Sequence, residues 1–209
     1  MLQPNDLSMW SYRDENMLLY LSGQNYTANT TAGESGDLWT CSKDKAIQFP
    51  PAILKEAGIH RTNGIEVSLD GKTLYLSSAK NENGNVTENA IYAFQIGVQG
   101  ELVQEKPKLF YNFTGDQAAI DVDGMRTDLD GNLYVTRNGD GKVNVFGTDG
   151  TLKKVIDLPG VKGPSNLELG GPGGTTLYAV GKCKDHEGLG CAASFETGIV
   201  GKAYKALQV

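Results

Sequence analysis

The sequence predicts an all-β fold, a β-propeller with about four blades. The first observation is a phrase repeated along the chain: a polar and a small residue open a strand, and after a turn Leu-Tyr closes the next. The copies run from Asn5-Asp6 to Leu19-Tyr20, Asn63-Gly64 to Leu74-Tyr75, Asp123-Gly124 to Leu133-Tyr134, and Ser165-Asn166 to Leu177-Tyr178. Antiparallel units recurring at roughly 40 to 60 residues are the pattern of propeller blades. The second observation is the turn chemistry. Glycine contributes 27 of 209 residues, and Asp70-Gly71, Asp130-Gly131 and Asp149-Gly150 are tight-turn dipeptides between short apolar runs.

The first copy places Leu7 and Met9 on one face of a strand, with a turn at Arg13-Asp14-Glu15-Asn16 and a return over Leu18 to Ser22. Gln24 to Asp37 reads as a polar exposed loop and Leu38 to Cys41 as a strand. Pro50 to Gly58 reads as a connection between blades, with a helical turn as the alternative, because proline suits a first helical position and glycine an end. In the second copy Ile65 and Val67 alternate with Glu66 and Ser68, and Thr73 to Ser77 returns. Lys80 to Asn89 follows as a polar loop, then strands over Ala90 to Ile96 and Lys108 to Tyr111. The third copy has strands at Leu133 to Thr136, Lys142 to Phe146 and Leu152 to Leu158. The fourth has Leu167 and Leu169, a return over Thr176 to Val180, a loop holding Cys183 and Cys191, and a last strand within Gly198 to Leu207. The tyrosines of the Leu-Tyr pairs are expected in the core between stacked blades.

One domain spanning residues 1–209 is the simplest organisation for this length. A formal charge of −6 with no basic stripe argues against a nucleic-acid partner. No apolar run reaches the roughly 18 residues of a membrane helix, so no membrane partner is expected. Four sequons, at Asn25, Asn29, Asn85 and Asn112, and a loop-closing disulfide between Cys183 and Cys191 point to a secreted glycoprotein. Three reduced thiols in a cytosolic protein are the alternative, and Cys41 is left over in either case. Met1-Leu2-Gln3-Pro4 runs directly into the first copy, so a signal peptide is not expected within this chain.

Several catalytic constellations are absent from the sequence. His60 and His186 have no zinc-ligand spacing, and there is no Gly-x-Ser-x-Gly elbow, phosphate loop or Cys-x-x-Cys. What remains are the polar residues that open the innermost strands. Asn63-Gly64 and Asp123-Gly124 are open to a turn reading, yet hairpin turns already fall seven residues later, at Asp70-Gly71 and Asp130-Gly131. In a propeller the innermost strands line a central channel, so Asn63 and Asp123 are expected to converge there. An amide oxygen beside a carboxylate, completed by water, suits a hard divalent ion.

At these residues the chain resembles the gluconolactonase, senescence marker protein (regucalcin) and luciferin-regenerating-enzyme family. The likeness runs through Thr62-Asn63-Gly64-Ile65, Ser68-Leu69-Asp70-Gly71-Lys72-Thr73-Leu74-Tyr75, Asp123-Gly124-Met125 and Asp130-Gly131-Asn132-Leu133-Tyr134. Leu158-Pro159-Gly160, Ser165-Asn166 and Gly170-Gly171-Pro172 extend it. The resemblance implies a six-bladed type of propeller, a single divalent cation and hydrolysis of lactones or related esters. Calcium is the first expectation for the cation, with zinc, manganese or magnesium as alternatives. It further implies Asn63 and Asp123 as metal ligands, Asp123 as the proton acceptor and donor, and Asn5 and Gln24 as substrate contacts. The family's first metal ligand, a glutamate in a Glu-Gly-Pro-like segment, has no counterpart here, and Gln3 stands where an arginine is frequent. The likeness begins part-way through the family's second blade, so the expectation is a propeller lacking its N-terminal blades. A four-bladed ring complete in itself, a non-catalytic ligand-binding propeller and an inactive fragment are the competing readings. The oligomeric state is open.

Overall fold

Strand after strand pairs with its sequence neighbour in the computed structural model, which describes residues 2–12 and 16–208. The turn expected at residues 13–15 lies outside the described residues. The described strands form four antiparallel sheets, each in simple sequence order. The first holds β1 (Gln3–Tyr12), β2 (Asn16–Gln24), β3 (Gly36–Cys41) and β4 (Ala46–Gln48); the second holds β5 (Arg61–Val67), β6 (Thr73–Glu82), β7 (Asn85–Gln95) and β8 (Lys108–Phe113). The third holds β9 (Asp121–Thr127), β10 (Leu133–Asn138), β11 (Lys142–Phe146) and β12 (Leu152–Asp157). The fourth has three strands, β13 (Val161–Gly170), β14 (Thr176–Cys183) and β15 (Gly190–Glu196). An up-and-down sheet of four strands is the blade of a β-propeller. The chain divides into two compact units, Met1–Ala119 and Ile120–Val209, with two sheets in each.

In the first unit the two sheets close over a core of Trp10, Tyr20, Leu38, Phe49, Leu54, Ile65, Leu74, Leu76 and Phe94, among others. Phe49 and Phe94 meet edge to face, with ring centroids 5.2 Å apart. Tyr20 is fully buried and its hydroxyl donates to the Gly100 carbonyl at 2.5 Å. Burial, with the Glu101 carboxylate as the smaller cause, pushes its phenol pKa well up. The segment between the sheets is both a connection and a helix: α1 (Pro51–Ala57) has a proline at its first turn and is closed by Gly58 at φ 73°. In the second unit Tyr134, Val143, Val145, Ile156, Leu167, Leu169 and Leu177 form the core between the third and fourth sheets.

The tyrosines of the repeat behave alike in three copies and differently in the fourth. Tyr20, Tyr75 and Tyr134 are buried, whereas Tyr178 is 44% exposed. Tyr20 and Tyr134 lie under the next sheet of their unit. No sheet follows β15 among the described residues, so Tyr178 and its face-mate Val180 are left open. The same logic exposes Leu7 and Met9 on the outer face of β1.

Three sequence expectations are corrected. Lys80 to Asn89 is not a loop, because β6 and β7 continue through it as a ladder to a turn at Asn83-Gly84. Both turn residues have positive φ, 52° and 82°, as a two-residue hairpin requires. Its residues are mostly polar and mostly exposed, with Asn81 and Asn89 buried, which hid the strands from a hydrophobic pattern. The closing strand of the last sheet is Gly190–Glu196 rather than part of Gly198 to Leu207, which instead holds helix α2 (Lys202–Ala206). Gln24 belongs to β2 and is 1% exposed, not part of an exposed loop.

Candidate active site

The polar residues that open the innermost strands all fall at breaks in strand register. In β1 the pairing jumps between Pro4 and Leu7, in β5 between Thr62 and Ile65, in β9 between Val122 and Met125, and in β13 between Pro164 and Asn166. In the first three sheets two residues bulge against one. Asn5-Asp6 stand opposite Ser22, Asn63-Gly64 opposite Ser77, and Asp123-Gly124 opposite Thr136. A bulge of this kind bends the strand and re-aims a side chain that regular alternation would commit to a sheet face. The Asn-Gly and Asp-Gly pairs are therefore strand bulges, which separates them from the hairpin turns that share their composition.

The residue facing each of these bulges bears a hydroxyl. Thr136 Oγ1 donates to the Gly124 carbonyl at 3.1 Å. Ser22 Oγ lies 2.6 Å from the Asn63 carbonyl and also accepts from the Asp6 amide at 3.2 Å. One serine thus ties the bulge of β1 to that of β5. Gly124 is required by space, since a Cβ there would stand 2.3 Å from Asn166 Oδ1 and 2.9 Å from Asn166 Cα.

Within the first unit, Asn63 is 3% exposed and its Oδ1 is buried with no hydrogen-bond partner. Leaving such an acceptor unmet costs roughly 1–3 kcal/mol, which a cation or donor at this atom would offset. Asn5 is exposed on β1. Gln24 turns toward Arg61, accepting from Nη1 at 3.0 Å, while Asn81 Oδ1 lies 3.5 Å from Nη2. The Tyr26 ring covers the same guanidinium, 4.5 Å from Cζ to centroid. Arg61 is 1% exposed, so this cluster fixes a charge in the interior where β2, β5 and β6 end.

Within the second unit, Asp123 is half-buried and its Oδ2 accepts from Asn138 Nδ2 at 2.8 Å. An amide oxygen at Asn63 and a carboxylate at Asp123 are each donors suited to a hard cation. No cluster of three or more His, Cys, Asp or Glu side chains suited to a metal occurs among the described residues.

Ser22, Thr136, Arg61 and Asn138 escaped the sequence reading. A signal existed for the hydroxyls: the strand after each bulge reads Leu19-Tyr20-Leu21-Ser22, Leu74-Tyr75-Leu76-Ser77 and Leu133-Tyr134-Val135-Thr136. The fourth copy, Leu177-Tyr178-Ala179-Val180, lacks the hydroxyl, and its bulge has a single extra residue, Ser165.

The remaining predicted sites are the sequons and the cysteines. Asn25, Asn29, Asn85 and Asn112 are all exposed. Cys183 and Cys191 form a disulfide across the β14–β15 hairpin, and Cys41 is a free thiol. No helix among the described residues is long and apolar enough to cross a membrane.

The family model described as the SMP-30/Gluconolactonase/LRE-like region matches residues 17–181. The chain belongs to this family. Solved structures similar to it include a calcium-binding protein, regucalcin, from Agrobacterium tumefaciens, 22% identical with a TM-score of 0.67 over 95% of this chain and 62% of that one. A luciferin-regenerating enzyme is 17% identical, TM-score 0.63, over 95% and 58%. A gluconolactonase from Xanthomonas campestris is 21% identical, TM-score 0.57, over 92% and 57%. No curated protein matches the chain in sequence. The chain therefore spans about six tenths of the length of these gluconolactonase-family structures. Its fold class is all-β, with four blades in a β-propeller arrangement among the described residues.

Proposed function

We propose that this member of the gluconolactonase family hydrolyses a lactone or related ester of a small molecule with the help of a divalent cation, for which Asn63 and Asp123 are each a proposed ligand. The observation that carries the reading is the shared bulge: Asn63 and Asp123 occupy the same position of the same two-against-one irregularity in their sheets. Asn63 adds a buried, unpartnered oxygen. Calcium is the preferred ion, with zinc, manganese and magnesium as alternatives. When bound, such an ion supplies polarisation of a carbonyl and a lowered pKa for water.

The chain's own residues do the rest. The Asp123 carboxylate accepts a proton from the water that attacks the ring carbonyl. It returns that proton to the ring oxygen as the carbon–oxygen bond breaks, so the products are a hydroxy acid and a regenerated carboxylate. Asn5, exposed on the bulge of β1, orients substrate hydroxyls. Gln24 serves recognition through Arg61, which it holds.

The test is hydrolysis of a small sugar lactone by pH-stat, with and without a chelator. Chelator-sensitive turnover that disappears in Asp123→Asn, with an unchanged circular dichroism spectrum, supports the reading. Full turnover by that variant removes Asp123 from the mechanism. Secretion and N-glycosylation at the four exposed sequons belong to the same proposal.

A further inference from the structure

We infer that Asn138 is a positioning residue for the cation site, fixing the Asp123 carboxylate through its side-chain amide. This rests on the reading of Asp123 as a cation ligand and adds a residue to it. Asn138 closes β10, and its direct cross-strand partner is Asp121. Asp123 lies two residues further along β9, the diagonal position that a side chain of this length can reach across a ladder. Between them the bulge opens at Asp123-Gly124. The bulge turns Asp123, and Asn138 Nδ2 then catches its Oδ2 at 2.8 Å. A carboxylate anchored at one oxygen loses rotation about its last torsion, so its remaining lone pairs keep a fixed direction.

Space on the other side of Asn138 is equally restricted. A Cβ at Gly163 would stand 2.9 Å from Asn138 Oδ1. Glycine at 163 therefore admits the amide, and β13 backs it. The choice of amide is chemically apt. A lysine or arginine at 138 would compete with a cation for Asp123, whereas a neutral donor orients the carboxylate without adding a charge of its own. Hydrogen-bonded partners of ligating carboxylates commonly govern affinity in this way.

The experiment is calorimetric titration of the full chain with calcium chloride, comparing wild type, Asn138→Ala and the near-isosteric Asn138→Leu, each with its thermal midpoint in chelator. The expected result is calcium affinity lowered roughly 10- to 100-fold in both variants, with the chelator midpoints changing far less. Unchanged affinity in a folded variant overturns the positioning role and leaves the cation reading standing. Affinity lost only in step with unfolding of both variants makes Asn138 a fold residue and also overturns it. No calcium binding by the wild type overturns the cation reading itself, and this inference with it.

Discussion

The Ser22 hydroxyl and the Asn63 carbonyl stand 2.6 Å apart, joining two strand bulges from neighbouring sheets of the first unit. Both residues are buried. Removing the hydroxyl strands the carbonyl, so Ser22→Ala is expected to cost about 1–3 kcal/mol in urea unfolding. Its urea slope should be unchanged, because the same surface is exposed on unfolding. A loss below a few tenths of a kcal/mol would mean that the bulges are held by something else.

Gly124 is expected to tolerate no side chain. Gly124→Ala drives a methyl into Asn166, backbone included, and overpacking of this kind costs roughly 1–3 kcal/mol. The displaced bulge misdirects Asp123, so lactone turnover should fall even where the protein remains folded. Gly58→Ala is the control for backbone strain alone, since Gly58 has φ of 73° and nothing within 4 Å of a built Cβ. It should lose stability and keep its turnover.

Stability is expected to drop on mild acidification through His60. Burial is the main cause that lowers its pKa, and the bond between Nδ1 and the Thr30 carbonyl opposes this more weakly. The folded state therefore holds the proton less well than the unfolded chain. The stabilisation is full above the ordinary imidazole value of about 6.5 and is lost as pH falls through the folded pKa. Thermal midpoints measured between neutral pH and mild acid should decline in the wild type and decline less in His60→Gln. Equal slopes in both would contradict the assignment.

The Cys183–Cys191 disulfide closes a short loop, with a sequence separation of 8. Chain-entropy reasoning gives about 2–3 kcal/mol for such a loop. Cys183→Ser should lower the urea midpoint by that order, with Cys41→Ser nearly neutral.

Much of the fold was legible because period-two alternation and Asp-Gly turns repeat. Ile65 and Val67, or Leu133 through Phe146, announce their strands directly. The polar ladder from Lys80 to Asn89 was not legible, since even its buried members, Asn81 and Asn89, are amides and leave no apolar alternation; only Asn83-Gly84 marked its turn. Tyr178 was misjudged because its burial depends on a following sheet and not on its own strand. At the candidate site, the residue types of Asn63 and Asp123 were visible, but the bulges that aim them are properties of strand pairing. Asn138 and Arg61 were invisible for a related reason: their roles come from partners on other strands, at Asp123 and Gln24.

The central proposal is that Asn63 and Asp123 are each a cation ligand, and calcium titration by calorimetry tests it most directly. The account predicts calcium binding by the wild-type chain, weakened in both Asn63→Ala and Asp123→Asn while each variant stays folded. Equal binding by either variant and the wild type would contradict it.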